Sequence, residues 1–182
     1  MAKHVPFFAS IATSRRSVLQ FAGMTLAGAG LAGCGFRLRG SQAFAFQRIA
    51  IQPQPGGAVA QELRRSFGSA VQVLADNAPL TQAQLVLTVA NEAREKVVVG
   101  VNSSGQVREL QLRMRVQLQL RTAQGKEIIA GDDIVQQRDI SYSESAALAK
   151  DAEEALLYRD MQSDIVQQIL RRLAAIQPGQ LD

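Results

Sequence analysis

From Leu110 to Arg121 the chain alternates without a break: Leu110, Leu112, Met114, Val116, Leu118 and Leu120 are apolar, while Gln111, Arg113, Arg115, Gln117, Gln119 and Arg121 separate them. A period of two puts one set on each face of a β-strand, so this segment predicts a strand with one buried and one hydrated side. It is the returning arm of a hairpin. Leu85, Val86, Leu87 and Val89 open the outgoing arm, which runs on to Val97, Val98 and Val99, and Asn102-Ser103-Ser104-Gly105 carries the turn chemistry between the arms. After Thr122 to Gly125 a further strand is predicted from about Lys126 to Tyr142, bulged near Gly131-Asp132-Asp133.

Two helices flank these strands. Val59, Leu63 and Phe67 recur every four residues after the breaker Pro53 to Gly57, and Gly68 ends that helix. Near the C-terminus Leu148, Ala152, Ala155, Tyr158, Met161, Ile165, Ile169, Leu173 and Ile176 fall at steps of three or four, with Ser143 or Ser145 as the predicted cap and Pro178-Gly179 as the stop. Asp151, Glu153 and Glu154 near its start and Arg171 and Arg172 near its end suit the helix dipole. Phe46 to Gln52 reads as a first strand, and Val71 to Leu74 as a short extended piece. The expected class is therefore α+β: a four-stranded sheet with two helices packed on one face, in the order β-α-β-β-β-α.

The first 33 residues do not fit that domain. Lys3, Arg15 and Arg16 occur without an acid, and residues 17–33 carry no charge. A basic stretch followed by an apolar one marks an export leader. The run from Val18 to Leu31 spans 14 residues, short of the roughly 18–20 that cross a bilayer as a helix. It ends in Leu31-Ala32-Gly33-Cys34, which resembles the lipobox that lipoprotein signal peptidase cleaves before cysteine. The expected organisation is a removable leader over 1–33, a lipidated tether over 34–42, a single α/β sandwich domain over 43–178 and a short tail over 179–182. Cys34 would carry a diacylglycerol and an N-acyl group, enough chains for stable anchoring. By the same resemblance Gly35, standing where Asp would signal inner-membrane retention, directs the protein to the outer membrane. Ser14-Arg15-Arg16-Ser17-Val18-Leu19-Gln20 resembles the twin-arginine motif but has Val18 and Gln20 where Phe and Lys are usual, so both export routes stay open.

Removing the leader changes the chemistry that remains. It takes three of the 20 basic residues and none of the 16 acids, leaving 149 residues at a net charge of +1, and with that the compositional case for nucleic-acid binding goes. It also takes His4, the only histidine, and Cys34 is the only cysteine. An acylated Cys34 leaves no disulfide, no thiolate nucleophile, no Ser-His-Asp arrangement and no His/Cys zinc site. The acid pairs Asp132-Asp133 and Glu153-Glu154 are poor general acids and bases, because neighbours in a strand face opposite ways and neighbours in a helix diverge by about 100°.

Cys34-Gly35-Phe36-Arg37-Leu38-Arg39, the β-α-βββ-α order, Ala147-Leu148-Ala149-Lys150-Asp151 and the segment Asp164 to Leu173 occur together and in sequence. The set resembles the LPS-assembly lipoprotein LptE family. The resemblance implies a non-catalytic outer-membrane lipoprotein with no cofactor beyond its acyl groups, which plugs the LptD β-barrel, assists its assembly and binds lipopolysaccharide on the way to the outer leaflet. It also places a lipid-contacting lysine at Lys150. At the hairpin tip, where the family can present a basic residue, this chain has Asn102, Ser103 and Ser104. Because lipopolysaccharide carries phosphates, basic residues are candidates for contact. Between residues 94 and 126 seven of them (Arg94, Lys96, Arg108, Arg113, Arg115, Arg121 and Lys126) face only Glu95 and Glu109 in sequence, a local +5. The candidates are Lys150, Arg113, Arg115, Lys96, Arg108 and Arg121, with no catalytic or metal-binding residue. The alternative reading is a lipid-anchored, periplasm-facing adaptor of another envelope complex, with a lipid-modifying enzyme third.

Overall fold

The computed structural model describes residues 42–53 and 56–181; Cys34 and most of the expected tether lie outside the described residues. Five strands form one sheet: β1 (Arg48–Gln52), β2 (Gln72–Val73), β3 (Leu85–Val101), β4 (Val107–Thr122) and β5 (Glu127–Ser141), in spatial order β2-β1-β3-β4-β5. The helices are α1 (Ala58–Ser66) and α2 (Ala147–Ala174). β3, β4 and β5 form an antiparallel meander, while β1 pairs parallel with both β2 and β3. The α+β class with two helices holds, but the sheet has five strands and not four. The extra one is the extended piece around Val71, which bonds β1 through Gln72 N–H to the Gln47 carbonyl at 2.8 Å and Leu74 N–H to the Ile49 carbonyl at 2.9 Å. Two residues are too few to show a period.

The helices cover one face. Ile49 and Ile51 of β1, Leu85, Leu87 and Val89 of β3, the even-numbered residues Leu110 to Leu120 of β4 and Ile134 of β5 are buried against Val59, Leu63 and Phe67 and against Met161, Ile165, Ile169 and Leu173. On the opposite face a small second cluster, Ala50, Val86, Leu74 and Ala83, is closed by the loop carrying Ala78 and Leu80. The rest of that face, along distal β3, β4 and β5, has no helix over it.

The hairpin turn forms as its residues require: Asn102 Oδ1 accepts the N–H groups of Ser104 and Gln106 at 3.0 and 2.9 Å, and Gly105 takes φ +78°. β5 is bulged where expected. Leu118 pairs with Asp132 and Leu120 with Ile129, and Gly131 adopts φ +71°. A second bulge, in β3, was not foreseen. Between Ala90 and Ala93 two residues, Asn91 (φ +52°) and Glu92, oppose one of β4. Asn91 Nδ2 bonds Gln117 Oε1 at 2.8 Å, and Glu92 reaches α1, where its Oε2 accepts the Val59 N–H at 3.2 Å. The first residue before α1 is Gly57, which has no side chain to cap with, so a carboxylate from the sheet supplies the acceptor.

The start of α2 differs from expectation. Neither Ser143 nor Ser145 caps it: a 3-10 turn, Glu144–Ala146, precedes Ala147, and the two serine hydroxyls bond each other at 2.9 Å. The apolar stripe also outruns the core. Tyr158 is buried, but Leu148, Ala152 and Ala155 are exposed, Leu148 at 87%. The sheet beneath that half of the helix offers Arg94 and Lys96 in place of aliphatic residues.

Candidate functional site

The β3 bulge divides the basic residues between the two faces. Cross-strand partners share a face, and beyond the bulge Arg94 pairs with Met114 and Lys96 with Leu112, both buried residues of the helix side. Without the extra residue, Ala93, Glu95 and Val97 would lie beneath α2. The segment that sums to +5 in sequence is thus not one patch in space.

On the helix side, Arg94 and Lys96 line a groove of about 600 Å³ with Asp151, Glu154, Ala155 and Tyr158. Lys96 Nζ pairs with Glu154 Oε2. The Arg94 guanidinium lies 5.2 Å from the centre of the Tyr158 ring and donates to Gln162 Oε1 at 3.2 Å, while Gln162 Nε2 bonds Glu62 of α1 at 2.6 Å. Tyr158 donates its hydroxyl to the Glu95 carbonyl at 2.8 Å. The hydrogen bond to Glu154 holds the Lys96 ammonium above its ordinary value of 10.5 against a smaller desolvation effect, and burial, with Glu154 adding, pushes the Tyr158 hydroxyl above 10.0. The groove carries as many acids as bases. Sequence reasoning counted Arg94 without singling it out and assigned Tyr158 to the helical stripe; nothing in a linear pattern reports that the two stack.

The uncovered face holds Arg113, Arg115 and Arg121. Arg113 Nε bonds Gln111 Oε1 at 2.7 Å, and Gln111 Nε2 bonds Asp139 Oδ1 at 2.9 Å. The side chains of Arg115 and Arg121 make no hydrogen bond or ion pair among the described residues. Their surroundings are less basic than the sequence count implies. Glu95 pairs with Arg113 across β3, and β5 brings Glu127 opposite Arg121, Asp133 opposite Gln117 and Asp139 opposite Gln111. Three arginines therefore share this face with Glu95, Glu127, Asp133 and Asp139, the last three of which lie beyond the Lys126 at which the sequence count stops.

Arg108 and Lys150 lie elsewhere and have separate partners. Arg108 lines a cavity of about 240 Å³ with Gln106, Val107, Ser143 and Ser145. Lys150 donates to Ser141 Oγ at 3.1 Å and to Glu153 Oε2 at 2.7 Å. The acid pairs do not converge: Asp132 meets Arg172 on the helix side at 3.1 Å while Asp133 belongs to the other face, and Glu153 and Glu154 hold different lysines. Among the described residues no three His, Cys, Asp or Glu side chains are grouped to hold a metal ion, and no helix is long and apolar enough to cross a membrane.

This architecture is that of small bacterial lipoprotein domains. A solution structure of an uncharacterized lipoprotein B from Nitrosomonas europaea superposes with a TM-score of 0.66 at 33% identity, over 78% of this chain and 91% of that one. The crystal structure of the rare lipoprotein B from Shewanella oneidensis shares the fold at a TM-score of 0.60 and 19% identity, over 71% and 95% of the two chains. Residues 46–173 match the LptE family, described as lipopolysaccharide-assembly, and the LPS-assembly lipoprotein LptE of Yersinia enterocolitica is 25% identical over 158 residues, 82% of this chain and 72% of that protein. The chain belongs to the LptE family.

Proposed function

We propose that this protein is a non-catalytic lipoprotein of the outer membrane, anchored through acyl groups on Cys34, which occupies the lumen of the LptD β-barrel, assists that barrel's assembly and binds lipopolysaccharide in transit. The observation that carries the reading is the uncovered face of β3, β4 and β5. It is long and rich in Gln, Arg, Asp and Glu, and the lumen of a transmembrane barrel is polar. Arg115 and Arg121, unpartnered there, are the guanidinium groups available to phosphate oxygens. Arg108, beside the hairpin, is a further basic candidate, while Lys150 is paired with Glu153 and Lys96 with Glu154.

The test is affinity purification of the full-length tagged protein from solubilised envelopes. A one-to-one complex with a large outer-membrane barrel is expected; recovery of the protein alone, or with an inner-membrane complex, would overturn the plug reading in favour of an adaptor. Lipopolysaccharide contact is tested separately. Charge reversal of Arg113 and Arg115 together should weaken binding several-fold and leave thermal stability nearly unchanged, since exposed ion pairs contribute about 0–1 kcal/mol. Unchanged binding removes this face from the lipid site.

A further inference from the structure

β5 is an edge strand over its whole length: the sheet ends with it, and no other strand pairs with its outer side among the described residues. Fifteen residues of such an edge present a row of backbone donors and acceptors to any matching strand. Both ends are guarded by charge, by Asp132 and Asp133 after the Gly131 bulge and by Arg138 and Asp139 further on. Between them Ile134–Gln137 is uncharged, and Val135 stands 47% exposed on the uncovered face. The Gln137 carbonyl accepts a bond from the guanidinium of Arg138 at 2.9 Å.

The charge pattern of this segment is self-complementary. If a second copy pairs antiparallel about a two-fold axis through Val135, Val135 meets its own counterpart, Ile134 meets Gln136, Asp133 meets Gln137 and Asp132 meets Arg138, the last three twice over. No like charges oppose. Moving the axis to Gln136 sets Asp133 against Asp139 twice, and moving it to Ile134 loses both Asp132–Arg138 pairs. Axes between residues put the helices of the two copies on opposite sides of the joined sheet, which removes the match of Val135 with Val135. Flanking ion pairs support the same register: Arg138 binds Asp164 at 2.6 Å and Asp132 binds Arg172, so each acid–base pair of one copy lies beside an oppositely ordered pair of the other. We propose that the free protein forms a two-fold homodimer through the β5 edge, centred on Val135 and continuous as a ten-stranded sheet. This does not rest on the lipopolysaccharide reading.

Cysteine scanning tests it in the full chain extracted from membranes, with the unsubstituted protein as the blank for Cys34. Directly opposite residues of an antiparallel pair have Cα atoms about 4.5–5.5 Å apart, inside the roughly 4.4–6.8 Å that a disulfide spans. Val135→Cys should therefore form a disulfide-linked dimer under mild oxidation at least about fivefold faster than Gln137→Cys, whose copies would sit four residues, about 13 Å, apart. Mixing Asp133→Cys with Gln137→Cys should give a mixed dimer that neither gives alone. Equal rates for Val135→Cys and Gln137→Cys, or no linked dimer from Val135→Cys in protein that retains its thermal transition, would overturn the proposal.

Discussion

The carboxylate of Glu92 crosses from the β3 bulge to the first turn of α1, and its loss can be followed quantitatively. Glu92→Ala removes the acceptor of the Val59 N–H, and Gly57, the residue before the helix, has no side chain to replace it. Losing an N-terminal cap costs about 0.5–2 kcal/mol, and losing a negative charge at that end of the dipole about 0.3–1 kcal/mol. A total near 1.5 kcal/mol lowers the melting temperature of a domain of this size by about 4–6 °C. Glu92→Gln, which keeps an oxygen, should lose less than half of that. The sharper test is Gly57→Ser. Gly57 is already extended at φ −75°, ψ −174°, the conformation of a capping serine, but a Cβ there would collide with Glu92 Oε2. In the native background the serine must displace the carboxylate it would replace, and the change should be close to neutral. In Glu92→Ala it should restore about 1 kcal/mol. Thermal unfolding followed by circular dichroism reads the native protein and these four variants. A shift below about 1 °C for Glu92→Ala, or a serine effect equal in both backgrounds, would refute the capping role.

Met161 of α2 is fully buried against the sheet, so Met161→Ala should cost about 2–5 kcal/mol in urea unfolding, whereas Leu148→Ala, 87% exposed on the same stripe, should stay within about 0.5 kcal/mol. Gly131→Ala places a side chain at φ +71° in the β5 bulge and should cost about 1–2 kcal/mol, again read from the urea midpoint. Folding raises both the Lys96 and the Tyr158 values, so the folded state retains protons the unfolded chain has released. Their contribution is therefore intact at neutral pH and declines as pH rises past 10.0 and 10.5 toward the higher folded values. Denaturant titrations between pH 7 and 11 should show that alkaline loss, and Tyr158→Phe should reduce it; an unaltered slope would remove Tyr158 from the account.

The parts of the fold legible in the sequence are those with long, uninterrupted periods. The alternate apolar residues Leu110 to Leu120 all lie on the buried side of β4, and Met161, Ile165, Ile169 and Leu173 all lie in the core. What escaped were single-residue events. The bulge at Asn91 and Glu92 inserts one position, and one position is enough to exchange faces for everything after it. Arg94 and Lys96 consequently turned toward α2, away from Arg113 and Arg115, and the arginine face acquired acids from β5 that lie later in the chain. A helical stripe names the side a helix would bury but not the length of sheet ready to receive it, and so Leu148, Ala152 and Ala155 extend past the last apolar partner.

The strand order also bears on how the chain acquires its structure. β1 is made first but sits between β2 and β3, and its longer register is with Leu85–Thr88, 36 residues further on. β3, β4 and β5 need only the short turns at Asn102 to Gln106 and Thr122 to Lys126 to pair. Closing a loop before any contact rewards it is costly, and the cost grows with its length. The three-strand meander is thus expected to hold the folding nucleus, with β1 slotting in late against an edge already formed. Substitutions such as Val116→Ala should slow folding, and Ile49→Ala should chiefly speed unfolding. A chain delivered N-terminus first through a membrane would carry its first strand with only the two-residue β2 as a partner until the third had followed it.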